Sequence, residues 1–281
     1  MNSFSLNRFG KTLRWYVSAN FLQLMGWTVG VLVGFFFFNM IPSYDLSYST
    51  TIEHMDGAHK VENLSITKLS MCIIHLIVFI EVSVSMAVLN KKTFRSSFLM
   101  LPASNLEKYL SLLTHVLVIL PVCIFFGFVL GDSLRMAVRV WLYDAPWQSF
   151  VPDMLRSLGF DFSDPSWLPF LILNVLTIAW LLSLYVLGAT FLRRFSFVVS
   201  SIVVILSLVA FWQFSYSLGL TMYSEKWIDG NVVSLSMGFI AYALFVLLPL
   251  LAAFNFWASY RIFKRFQLVT NKWTNYDVFK R

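Results

Sequence analysis

Apolar residues gather into six stretches, Val17 to Met40, Thr67 to Leu89, Tyr109 to Gly131, Trp167 to Leu192, Ser196 to Leu220 and Val233 to Trp257. Each is close to the roughly 20 residues that a tilted helix needs to cross ~30 Å of hydrocarbon. A spanning segment must satisfy its own backbone hydrogen bonds, so stretches of this length predict helices. The pattern predicts an all-α, polytopic membrane fold with six transmembrane helices in a single transmembrane domain over 1–281. It places an interfacial helix over 1–16, spans over 17–40, 67–89, 109–131, 167–192, 196–220 and 233–257, and a cytoplasmic tail over 258–281. The first run, through Phe35-Phe36-Phe37-Phe38, is too long for a signal h-region and lacks a small-residue cleavage pattern, so it reads as a retained helix.

Charge orients this array. With the N-terminus inside, the inner connections hold 15 of the 21 Lys and Arg residues and the outer ones hold 11 of the 14 acids. Basic residues beside membrane segments are retained on the cytoplasmic face, so both termini are expected there. A net charge of +7 in a soluble chain suggests nucleic acid. At 58% hydrophobic residues and mean hydropathy +0.73, the fitting partner is anionic lipid, and no nucleic-acid binding is expected.

The connections differ in character. Before the first span, Leu6, Phe9, Leu13, Tyr16 and Val17 share one helical face, with Arg8, Lys11 and Arg14 largely on the other. Such a segment should lie flat on the inner leaflet, as a lipid anchor or as a docking element for a cytoplasmic partner. The outer connection Ile41 to Ile66 is polar and too short for a domain. Asp132 to Ser166 carries apolar-basic stretches broken by Pro146, Pro152 and Pro165, which predicts one or two short interfacial helices or an extension of the third span. The last outer connection, Thr221 to Asn231, reads as a short loop. Cys72 and Cys123 both fall in predicted helices without metal spacing and read as small buried hydrophobes.

The longest inner connection runs from Asn90 to Lys108. Phe94, Phe98 and Leu101 recur at three- to four-residue spacing and predict a short helix before Pro102. Ser104 and Glu107 have capping-box spacing, in which each side chain satisfies a backbone amide of the other residue, so the third long helix should begin there.

The run Leu101-Pro102-Ala103-Ser104-Asn105-Leu106-Glu107-Lys108 resembles the LPAS-x-x-EK signature of permease subunits in type-2 ABC transporters, particularly those of Bacteroidetes-type bacteria. The basic amphipathic start, six spans, internal termini and the aromatic-basic tail Trp273 to Arg281 resemble that family's layout. The resemblance implies a coupling helix over Phe94 to Ser104 that seats in a groove of a separate ATP-binding subunit. Phe94, Arg95, Phe98, Leu101, Pro102, Ser104, Glu107 and Lys108 are then the partner-coupling residues. It further implies a second permease copy or a relative as dimer partner, an export function, and a bacterial cytoplasmic (inner) membrane. The chain has no G-x-x-x-x-G-K-[ST] loop, so it carries no cofactor of its own, and ATP and Mg are expected in the ATPase partner. The long outer connection departs from better-known members and leaves the substrate open.

Inside the spans, Glu81 is the only acid. A mid-membrane carboxylate costs roughly 2.5 kcal/mol or more, so it should face a partner or cavity. Helical depth places His115 level with it, which makes Glu81 and His115 a candidate hydrogen-bonded pair, structural or gating. His75 lies about 120° around its helix from Glu81 and reads as a satisfied interior histidine. Asn174, Gln213 and Asn255 read as interhelical or path-lining groups, and the aromatics around Phe211 to Tyr216 as lipid-facing. One carboxylate and two separated histidines do not build an intramembrane active site, so the chain is expected not to be an enzyme. The alternative to a permease is a non-transporting scaffold or sensor that docks a cytoplasmic partner through loop 90–108.

Overall fold

A computed structural model describes residues 4–49, 56–87, 92–144, 147, 149–157, 167–192, 195–217, 223–228, 231–237 and 239–265. The inner turn Arg193-Arg194, the tail beyond 265 with its Trp273 to Arg281 run, and the side chains of Phe94, Arg95, Phe211 and Trp212 lie outside the described residues.

The helices are α1 (Leu6–Ala19), α2 (Phe21–Ser49), α3 (Asp56–Ala87), α4 (Lys92–Leu99), α5 (Asn105–Thr114), α6 (Leu120–Tyr143), α7 (Val151–Ser157), α8 (Trp167–Phe191), α9 (Ser196–Ser217) and α10 (Phe239–Lys264). A π-turn, His115–Ile119, joins α5 to α6. Four described stretches, Phe21–Met40, Asn105–Leu142, Leu171–Phe191 and Tyr242–Lys264, are long and apolar enough to cross a membrane, and mark the chain as a membrane protein. In the other two expected spans the described apolar stretches are shorter, Leu69–Val84 within α3 and Ser196–Ala210 within α9. Exposed Val198, Ile202, Ile205, Leu206 and Val209 on α9 suit a hydrocarbon solvent, in which a helix apolar on every side has no need to be covered by protein.

The described residues are helical as expected, with one local exception. Residues assigned to the last outer loop and to the start of the sixth span instead form an antiparallel hairpin, β1 (Tyr223–Ile228) and β2 (Asn231–Met237), and α10 begins only at Phe239. Ser234 and Ser236 alternate with Val233 and Leu235, a period of two rather than 3.6. The strands close with Ile228 opposite Asn231 across the sequence Asp229-Gly230, a dipeptide favoured in two-residue hairpins.

The chain divides into two compact units, 1–81 with 102–167, and 82–101 with 168–281. In the first, α2 packs lengthwise on α6. Leu24, Val31 and Phe35 of α2, Met71 and Ile74 of α3, Leu120, Ile124 and Phe128 of α6, and Phe150 and Met154 around α7 make its core. Two glycines permit the close approach: a Cβ on Gly127 would stand 2.5 Å from the Thr28 carbonyl oxygen, and one on Gly131 2.7 Å from that of Leu32. This G-x-x-x-G spacing brings backbone against backbone. Beside it, Trp27, Gly30, Val31, Gly34, Phe35, Phe38, Ile73 and Ile77 line an apolar cavity of about 360 Å³. In the second unit, Leu173 of α8 packs with Leu244 and Leu248 of α10. Polar contacts add to it: Asn255 Nδ2 donates to Ser183 Oγ at 2.9 Å, Thr190 and Ser259 hydroxyls lie 3.1 Å apart, and Tyr185 and Ser201 3.0 Å apart.

Candidate functional site

The capping box forms as its spacing predicts. Ser104 Oγ accepts from the Glu107 amide at 3.2 Å, and the Glu107 carboxylate accepts from the Ser104 amide at 2.8 Å. Glu107 does more than cap its own helix. Its Oε1 also accepts from the backbone N–H of Ser5 at 2.7 Å, and the Arg8 guanidinium donates to the carboxylate from Nε (3.2 and 3.3 Å) and from its terminal nitrogen (3.0 Å). Ser5 is the N-cap of α1 and supplies no side-chain cap of its own. One buried carboxylate therefore sits at the N-termini of α1 and α5, where both helix dipoles favour negative charge. The sequence pattern placed Arg8 on the same solvated face as Lys11 and Arg14. In the structure it turns inward to Glu107, while Lys11 and Arg14 are exposed.

The short helix expected before Pro102 is α4, Lys92–Leu99. Its Phe98 is fully buried, with its ring 6.3 Å from that of Phe263 at the end of α10, so it supports the helix from within rather than offering itself to a partner. Exposure along this segment falls instead on Met100, 80% exposed, and on Ser97, Pro102 and Leu106. Leu101 is half-buried, and Lys108 is buried in the first turns of α5.

Glu81 and His115 both lie buried in the first unit, and no hydrogen bond joins them among the described residues. Gln23 of α2 donates to Glu81 Oε1 at 2.6 Å. His115 meets the ring of Tyr16 edge-on, centroids 4.8 Å apart, and among the described residues its Nδ1 has no hydrogen-bond partner. Burial, with the Glu81 charge second, holds the Tyr16 hydroxyl well above the ordinary phenol range. The hydrogen-bonded pair expected from depth counting does not form, and His115 instead opens the π-turn that joins α5 to α6. π-turns are rare and frequently lie at functional sites. His75 is satisfied by the Met71 carbonyl at 2.8 Å, and Asn255 is interhelical glue as expected, whereas Asn174 and Gln213 are exposed. Cys72 is exposed and Cys123 half-buried, against the expectation of buried thiols.

Sequence reading missed a buried ion pair near the end of α6. Arg135 donates to Asp132 Oδ1 from Nε at 3.0 Å and from its terminal nitrogen at 2.8 Å, and its guanidinium lies 4.2 Å from the Phe150 ring centroid. Asp132 Oδ2 accepts from Ser149 Oγ at 2.8 Å and from the Phe150 amide at 3.1 Å, which ties the start of α7 to α6. The i,i+3 spacing of Asp132 and Arg135 was the available signal. Among the described residues no group of three His, Cys, Asp or Glu is placed to hold a metal.

No protein-family model, curated protein or solved structure matches this chain.

Proposed function

We propose that this chain is the membrane-spanning permease subunit of an ABC transporter of the exporter kind, in a bacterial inner membrane. A separate ATP-binding subunit would hold ATP and Mg, and a second copy or a related permease would complete the transport path. The observation that carries the reading is the run Leu101 to Lys108, whose Ser104 and Glu107 form a complete capping box at the head of a long apolar helix, directly after a short exposed-edged helix. A capped helix end transmits a push along its axis instead of fraying. By this reading the ATPase engages the exposed residues around Met100 and Pro102, with Phe98 bracing α4 from behind. Rigid movement of the spans then opens the path to alternate sides. Glu107 would pass the same displacement to α1 through Ser5 and Arg8.

The test is affinity purification of the tagged chain from its native membrane in mild detergent, with identification of co-purifying chains and an ATPase assay. A stoichiometric subunit bearing a phosphate-binding loop, whose ATPase responds to Met100→Asp, supports the permease. A chain that purifies folded, alone and without ATPase moves the weight to a scaffold or sensor.

A further inference from the structure

Helix α1 has three faces rather than the two of a simple amphipathic helix. Arg8, Thr12 and Tyr16 turn toward the first unit, with Thr12 and Tyr16 buried. Leu6, Phe9, Leu13 and Val17 form an apolar flank that the unit covers only in part, with Leu6 77% exposed. Asn7, Lys11, Arg14 and Ser18 make an exposed polar face. Lys11 and Arg14 are three residues apart, hence neighbours on the helix surface, and neither enters an ion pair among the described residues. A partly uncovered apolar flank beside a pair of cations matches an interface of acyl chain and anionic headgroup.

We propose that Lys11 and Arg14 form an anionic-phospholipid contact, and that Glu107 withholds Arg8 from it. The three cations look equivalent in the sequence but are divided by the fold. Two are open to headgroup phosphate, whereas the third donates to a buried carboxylate. Reciprocal linkage follows. Releasing Arg8 adds a third cation to the lipid-facing set, and an excess of anionic lipid favours that release to the extent of this one added contact. The proposal stands independently of the permease reading, because it needs neither an ATPase nor a substrate.

The experiment is native mass spectrometry of the full-length protein in detergent, titrated in parallel with phosphatidylglycerol and phosphatidylcholine of the same chain length. For wild type, phosphatidylglycerol should bind more tightly. Lys11→Gln and Arg14→Gln should each weaken phosphatidylglycerol binding by roughly fivefold, the effect of one basic residue near an anionic surface, with phosphatidylcholine unchanged. Arg8→Gln should leave it unchanged, and Glu107→Gln should strengthen it by up to about fivefold. The proposal is overturned if the Lys11 and Arg14 variants bind like wild type, if Arg8→Gln weakens binding as much as they do, or if Glu107→Gln, eluting as a folded species, gains nothing.

Discussion

The α2–α6 contact makes a quantitative prediction about two glycines. In Gly127→Ala the new methyl stands 2.5 Å from the Thr28 carbonyl oxygen and 3.3 Å from its carbon. Both are backbone atoms of a helix and cannot rotate away. To restore ordinary contact, α2 must recede by about 0.9 Å, and a gap of that size forfeits a quarter to a half of each pairwise attraction along the interface. The side chains affected are Leu24, Val31 and Phe35 against Leu120, Ile124 and Phe128. Overpacking of this kind costs about 1–3 kcal/mol, and the better helix propensity of alanine returns up to about 1 kcal/mol, so Gly127→Ala should destabilise by ~1–2 kcal/mol. Gly131→Ala meets the Leu32 carbonyl at 2.7 Å, one turn along the same face, and needs about 0.7 Å, which lies within the displacement that Gly127→Ala already forces. The double variant should therefore cost scarcely more than Gly127→Ala alone, a marked departure from additivity. Gly26, Gly30 and Gly34 provide the control: a Cβ there meets nothing within 4 Å, so alanine should be neutral or stabilising. Reversible unfolding of the purified protein in a fixed detergent mixture, followed by tryptophan fluorescence, measures all of these. The reasoning fails if the double variant costs the sum of the singles, or if Gly30→Ala destabilises as much as Gly127→Ala.

Substitutions at three further polar contacts extend the test. Asp132→Ala strands the buried Arg135 without its carboxylate and should cost about 3–5 kcal/mol, whereas Asp132→Leu with Arg135→Met should recover most of that loss; equal melting of the single and double variants would refute this. Glu81→Gln keeps an acceptor for the Gln23 amide and should unfold close to wild type, while Glu81→Ala should lose about 1–3 kcal/mol in the same assay. Asn255→Leu removes one interhelical hydrogen bond to Ser183 and should cost only about 0.6 kcal/mol, as polar contacts between membrane helices generally do; a loss above 2 kcal/mol would mean that Asn255 holds more than this bond.

Local order was legible in the chain and long-range pairing was not. The capping box at Ser104 and Glu107, the short helix α4 and the amphipathic α1 depend on residues within two turns of one another, and their spacings predicted them. The inward turn of Arg8 depends on a carboxylate 99 residues away, and the burial of Phe98 on Phe263 at the far end of the sequence. No helical period distinguishes an arginine that faces water from one that faces Glu107. The β-hairpin was hidden for another reason: Val232, Val233 and Leu235 adjoin a long apolar run, so hydropathy merged the second strand with the following helix despite the Asp-Gly dipeptide. Depth arithmetic brought Glu81 and His115 to one level. It had no means of finding Gln23 and Tyr16, which come from two other helices, one bonding Glu81 and the other packing on His115.

The π-turn at His115–Ile119 has a consequence for how this helix tolerates change in length. Its wider ring accommodates a residue that an α-turn would exclude, and each residue of an α-helix carries about 100° of rotation. Upstream of it, Glu107 is aimed at α1; downstream, Gly127 and Gly131 are aimed at α2. Deleting one residue from the turn would leave a regular helix of nearly the same length with its two ends close to their present phase, because the wide turn is what absorbs that residue. The turn is therefore a place where this helix can lose a residue and still aim Glu107 at α1 and Gly127 at α2, whereas a deletion in a regular turn between them would rotate the two ends apart by about 100°.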